Sequence, residues 1–261
     1  MENQDTIQPE QPTNEIEELS HTDKIVGVIS EPSNLFSKLA FLSTKATDWL
    51  LPLFLLIIVA IVSTFIYMSN PEIKLEMQQQ QEKAMREQFQ KMVESGQMTQ
   101  QQVDEQLDKT AEMMNNPMII YLIPSISIFV IMLLWFFIFT TIAFLIAKFA
   151  FKGDGSYSQA MTAMGLSMYI SVLQSIILVI VGLLMGKMLT GLNPASLTGM
   201  DIKTLPGFLL SRLDVFSIWF YIVVGIAFAK MFKSDNVKKY IFTSIGFWLV
   251  FMFIIFGLSK V

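Results

Sequence analysis

From Trp49 to Met68 the chain reads WLLPLFLLIIVAIVSTFIYM, without one charged residue. A run of about 20 mainly apolar residues is what an α-helix needs to cross hydrocarbon. Four further runs follow, at residues 118–147, 161–185, 215–232 and 240–258. Only 15% of the 261 residues are charged, against about a quarter in an ordinary soluble chain. Lipid, rather than a folded aqueous core, is therefore the medium these segments are built for. The expected fold class is all-α: a polytopic membrane protein with five transmembrane helices and a helical-hairpin insert between the first and second. Pro124 is expected to kink the second span.

The insert is the exception to this apolar pattern. Residues 69–117 are rich in Gln, Glu and Lys and form an extramembrane segment. Within it Ile73, Met77, Met85, Phe89, Met92 and Val93 recur at helical spacing, and Gly96 marks a stop. Thr99 and Gln102 have the spacing of a capping box. Val103, Leu107, Ala111 and Met114 then share one face of a second helix. Pro71 and Pro117 separate the pair from the spans. Such a hairpin either packs on its own bundle or offers residues 72–115 to a protein partner. A metal site from Met77, Met85, Met92, Met98, Met113 and Met114 is disfavoured, because their spacing is that of a packing stripe.

Residues 1–20 are polar and acidic, with Pro9 and Pro12, and are expected to be a disordered arm without a cleavable signal peptide. Residues 21–48 contain an interfacial amphipathic helix, with Leu35, Phe36, Leu39 and Leu42 on one face. Five spans put the termini on opposite sides. Basic residues divide evenly between those sides. The short connections after the second and fourth spans nevertheless concentrate Lys148, Lys152, Lys230, Lys233, Lys238 and Lys239. Short loops weigh most in the positive-inside rule, so the N-terminus is placed in the cytoplasm.

Chemistry is sparse. The absence of cysteine excludes disulfides and thiolate metal sites. A single histidine, His21, leaves zinc ligation and His-based triads without their usual parts. A net charge of −4 gives no electrostatic case for nucleic acid. No cofactor, metal site or catalytic residue is expected, and no enzyme. Asp48 and Asp214 each stand at a span's entry, where the helix dipole favours a carboxylate. No Asp, Glu or Arg occupies the middle of a span, which argues against ion-coupled transport. FKGDGSYSQ, residues 151–159, lacks the Lys-Ser/Thr pair of a phosphate loop. It reads instead as a glycine turn with Ser156 or Ser158 capping the third span. Ser167, Ser171, Ser175, Gly182 and Gly186 lie within about 100° of rotation on that span, with Gln174 beside them. Small residues at such spacing let membrane helices approach closely, so this face is the expected packing hub. Its partners are helices of the same chain or of a second copy, which leaves a homo-oligomer open.

Three stretches in order resemble the Ypt-interacting-protein (YIP) domain family. ISEPSNLFSKLA, with Pro32 and Phe36, looks like its lead into the first span. GDGSYSQAMTAMGLSMYISVL, with Gly153, Gly155, Ser156, Tyr157 and Gln159, resembles its entry to the third. LDVFSIWFYIVVGIAFAKMF, with Phe216, Ser217 and Trp219, is similar to its fourth span. The resemblance implies five membrane helices, a cytoplasmic N-terminus and no catalytic residues. Eukaryotic relatives act in Golgi and vesicle traffic and bind Rab-type GTPases. The insert departs from that pattern, and on the topology above it faces outward, away from any cytoplasmic GTPase. With a Lys-, Ile- and Phe-rich composition, the chain resembles a bacterial member set in the inner membrane. The function so implied is a non-enzymatic scaffold or adaptor working through helix association. The alternative is a small-molecule or lipid permease using Asp48, Gln174 and Asp214 inside the bundle.

Overall fold

The structure, a computed structural model, describes residues 18–113 and 116–259. Most of the expected N-terminal arm, the side chain of Ala111, Met114 and Lys260 lie outside the described residues. Among the described residues every regular element is helical.

Helix α1 (His21–Ser30) starts at a reciprocal capping box between Ser20 and Asp23. Helix α2 (Pro32–Leu39) begins on Pro32, whose missing N–H costs nothing in a first turn. It buries Leu35, Phe36 and Leu39. Helix α3 (Thr47–Ser69) is the first span. After Asn70, which caps with its side chain on the amides of Glu72 and Ile73, α4 (Pro71–Glu94) continues the chain. Helix α5 (Gln100–Met113) opens where the Thr99 amide donates to Gln102 Oε1 at 2.8 Å and the Gln102 amide returns to Thr99 Oγ1 at 3.3 Å. Val103 and Leu107 of α5 are buried.

The second apolar run forms a continuous 33-residue rod, Met118–Ala150. Its body is α6 (Ile123–Leu145), with one π-helical turn before it and another after it. The first π-turn, Met118–Leu122, ends two residues before Pro124. A proline deletes one ladder hydrogen bond and crowds the preceding turn, and widening that turn accommodates it. Helix α7 (Tyr157–Met185) follows, then two short helices, α8 (Pro194–Thr198) and α9 (Leu205–Ser211). Helix α10 (Val215–Met231) and helix α11 (Val237–Leu258) complete the bundle.

Four of these elements are long and apolar enough to cross a membrane: α3, the α6 rod, α7 and α11. Helix α10 has 17 residues and joins α9 across a 57° bend, so a fifth crossing exists only if that bent pair forms one span. Its shortness has a visible counterpart in packing. Helix α10 sits against α2, α7 and α11, and buries Val223, Val224, Gly225, Ala227, Phe228, Ala229 and Met231. A broken helix is tolerated at membrane depth where protein, not lipid, surrounds the break.

Helix α7 is the hub. It runs parallel to α3, with Gly165 beside Trp49 and Gly182 beside Tyr67, and it also contacts α1, α6 and α10. The core couples α2 to the bundle through Phe36, which is fully buried with Leu53, Leu166, Ile170 and Phe232. Outward-facing residues are apolar: Ile58, Ile138, Phe242, Val250 and Ile254 are each more than half exposed apart from their own neighbours. Apolar surface on this scale is stable only against lipid. The molecule is a multi-pass integral membrane protein.

Candidate functional site

At the end of the bundle where α3 and α7 begin, α1 delivers its polar face to the interior. Lys24 Nζ donates to Asp48 Oδ1 at 2.6 Å, and the two side chains are only 6% and 1% exposed. One turn earlier on α1, His21 Nε2 meets the hydroxyl of Tyr169 on α7. Burial pushes the His21 pKa down, opposed by the Asp48 carboxylate and reinforced by Lys24. Asp48 also accepts from the Lys45 amide at 3.3 Å, and it lies in the first turn of α3, where the helix dipole adds to its stabilisation. Pro52 supplies no amide to the Asp48 carbonyl, and that oxygen faces Gly165 instead. A Cβ at Gly165 would lie 2.5 Å from Trp49 Cβ and 3.0 Å from this oxygen, so glycine alone permits the approach.

The GDGSYSQ loop closes the same end. Cβ atoms at Gly153 or Gly155 would strike the Phe232 side chain at 2.8 and 2.6 Å. The Asp154 amide donates to the Phe232 carbonyl at 3.1 Å. Ser156 caps α7 in a capping box with Gln159, and Gln159 Nε2 reaches the Ala40 carbonyl at the end of α2, 3.2 Å away. The Tyr157 and Thr141 hydroxyls share a hydrogen bond of 3.0 Å. Phe36, Gly153, Gly155, Ser156 and Gln159 therefore converge on one structural task, locking α2 and the C-terminal end of α10 to the start of α7, while Tyr157 ties that start to α6 and Pro32 opens α2. Phe216 and Trp219 touch at the other end of α10, with ring centroids 6.0 Å apart.

A second polar centre lies at the bend between α9 and α10. Asp214 is 3% exposed and caps α10, accepting from the Ser217 amide at 2.8 Å. It also accepts from the Leu192 amide at 2.7 Å and from Gln174 Nε2 at 3.0 Å. Three donors from three different elements thus converge on this one carboxylate. Nearby Arg212 donates to the buried Ser211 hydroxyl at 3.1 and 2.8 Å and lies over the Phe208 ring.

The structure does not bring Asp48 and Asp214 together. Asp48 lies beside Gly165 and Asp214 beside Gln174, nine residues apart on α7 or about 14 Å along the helix axis. Of the small residues on α7, Ser167 is buried and its hydroxyl donates back to the Ala163 carbonyl; Ser175 donates likewise to the Ser171 carbonyl. Back-bonding spends the hydroxyl proton within its own helix and leaves no donor for a neighbour. Gln174 is the side chain of this group that bonds across to another element. Gly182 allows the Tyr67 ring to approach, while Gly186, at φ +64°, is the left-handed C-cap of α7 and faces Glu72.

Sequence reasoning passed over Lys24, Tyr169 and Gly165. Lys24 had a signal: it falls one turn before Val28 on the apolar face of a helix opened by a Ser-x-x-Asp box. The partner of that lysine had none, because 24 residues separate it from Asp48 and no local pattern reports a pairing at that range.

Comparison with known proteins adds a family and nothing nearer. A family model described as the Yip1 domain matches residues 26–258. No curated protein and no solved structure matches the chain.

Proposed function

The chain belongs to the Yip1 domain family, and on that premise we propose that it is a non-enzymatic membrane scaffold or adaptor. Its spans number five, counting the bent α9–α10 pair as one, with the N-terminus in the cytoplasm of a bacterial cell. The α4–α5 segment is then a helical hairpin on the outer side, and residues 72–115 are the surface it offers to a protein partner. The packing face of α7 belongs to the bundle that carries this surface.

One observation carries the proposal. Helix α4 is rooted in the bundle by Ile73 and Met77, which pack on Tyr67 and Val179. Past that root it runs on to Glu94 with most of its side chains in solvent. A helix of good helix formers held at one end projects a rigid surface well beyond the bilayer. The permease alternative draws less support. Asp48 is taken by Lys24 and Asp214 by three donors, and a transported cation would have to displace them.

The test is deletion of residues 72–115 with a short glycine-serine joint, followed by crosslinking and pull-down from native membranes. Loss of specific crosslinked species from a chain that still inserts and remains monodisperse supports the adaptor role. The same crosslinked species from both chains would refute it.

A further inference from the structure

Two partly open cavities of about 430 and 420 Å³ share Gln174 in their linings. Both fall in the size range of small-molecule sites, but their polar groups differ. In the cavity toward α4, the hydroxyls of Ser63, Thr64 and Ser175 bond back to carbonyls of their own helices, and Tyr67 donates to the Leu178 carbonyl. Of the remaining polar lining, the Thr190 hydroxyl and Gln174 Oε1 have no partner among the described residues.

The 430 Å³ cavity is lined by residues of α3, α6, α7, α10 and α11, most of them Leu, Met, Phe or Trp. Ser171 Oγ, Gln174 Oε1, Ser217 Oγ, Tyr221 Oη and Trp248 Nε1 are its polar groups, and none has a hydrogen-bond partner among the described residues. Ser171 and Ser217 forgo the back-bond that Ser63, Ser167 and Ser175 make. Trp248 is 95% buried by its 5% exposure, and its ring stacks on Tyr221 with centroids 5.0 Å apart. Trp248 is buried and the other four side chains are half-buried; hydrocarbon offers a polar group no hydrogen-bond partner, so several unpaired ones around one apolar space point to a missing partner. The Gln174 amide is oriented by Asp214, which only accepts, so its oxygen is left for the cavity.

We propose that this cavity binds a neutral lipid with one acyl chain, an ester carbonyl and a free hydroxyl, of the acylglycerol type. Two of the serine, tyrosine and tryptophan groups donate to the carbonyl and another to the ligand hydroxyl, which in turn donates to Gln174 Oε1. The Met, Phe and Leu lining takes the chain. A charged headgroup is excluded by position as well as by chemistry. Ser171 and Gln174 lie 14 and 17 residues into the 29-residue α7, or about 21–26 Å from its start, at mid-membrane depth. No basic side chain lines the cavity to pair with a phosphate. Ile131, which lines it, is 57% exposed on the outside of the bundle, so the space communicates with the lipid phase.

The test uses the full chain in phosphatidylcholine nanodiscs doped with a photoactivatable, clickable monoacylglycerol, and separately with a lysophosphatidylcholine carrying the same photoactivatable chain. The monoacylglycerol label is expected on the peptides that hold Ser171 and Ser217, and Ser171→Val is expected to reduce it at least tenfold. Ser217→Ala, which leaves the space and removes a donor, is expected to reduce it several-fold. It also keeps the test decisive if Ser171→Val fails to fold. Equal labelling by both probes at the outer residues Ile58, Ile138 and Val250, unchanged in the variants, would overturn the proposal. Absence of label at the cavity, which would mean that water alone satisfies these groups, would overturn it equally.

Discussion

Replacing Lys24 by methionine tests the main polar connection between the N-terminal helices and the bundle. At 2.6 Å and an effective dielectric of about 20, the Lys24–Asp48 attraction is roughly 6 kcal/mol. Desolvation of two buried ions costs several kcal/mol each, so the pair as a whole adds little net stability. Removing one partner is different. Asp48 would keep its burial, at 1% exposure, and only the Lys45 amide at 3.3 Å would remain near it. Breaking a buried pair in this way costs about 3–5 kcal/mol. Since Lys24 sits on α1, the loss is expected first as undocking of α1, opening it about 150- to 4,000-fold more often. Limited proteolysis in detergent micelles, with cleavage sites read by mass spectrometry, would report it as accelerated cutting within residues 20–31. The double variant Lys24→Met/Asp48→Leu is expected to recover most of the loss, because apolar side chains of similar size replace buried ions with little penalty. Cleavage of Lys24→Met at the wild-type rate would refute the reasoning. So would a double variant as labile as the two single losses added together.

Two further outcomes follow from the same geometry. The His21 pKa is lowered in the folded chain from 6.5. Its contribution to α1 docking is therefore complete above about pH 6.5 and is lost as pH falls through the lowered value. Protease protection of α1 should weaken on acidification in the wild type and show a flatter profile in His21→Gln; identical profiles would exclude His21 as the titrating group. Gly165→Ala places a Cβ against Trp49, whereas a Cβ at Gly246 meets nothing within 4 Å. Unfolding in bicelles should show Gly165→Ala destabilised by about 1–3 kcal/mol and Gly246→Ala neutral or stabilised by up to about 1 kcal/mol; equal effects would remove Gly165 from the α3–α7 contact.

Local signals and long-range pairings divide cleanly in this protein. The 15% charge content and the uncharged runs determined the solvent, and hydrogen bonding in hydrocarbon then left helices as the form of every span. Capping chemistry was also legible. Thr99 with Gln102, Ser156 with Gln159, and Asp214 ahead of α10 all act within three residues, which is the reach of a side chain bonding a nearby amide. What the tertiary structure alone decided is which helix meets which. Lys24 finds Asp48, Gln174 finds Asp214, and Gly165 admits Trp49, all across separate elements. Nor did the sequence show that the serines of α7 take different roles, two closed on their own helix and Ser171 open to a cavity. Lipid is as apolar as leucine, so an apolar face looks the same in sequence whether it meets a neighbour or an acyl chain. Only the packed bundle distinguishes them.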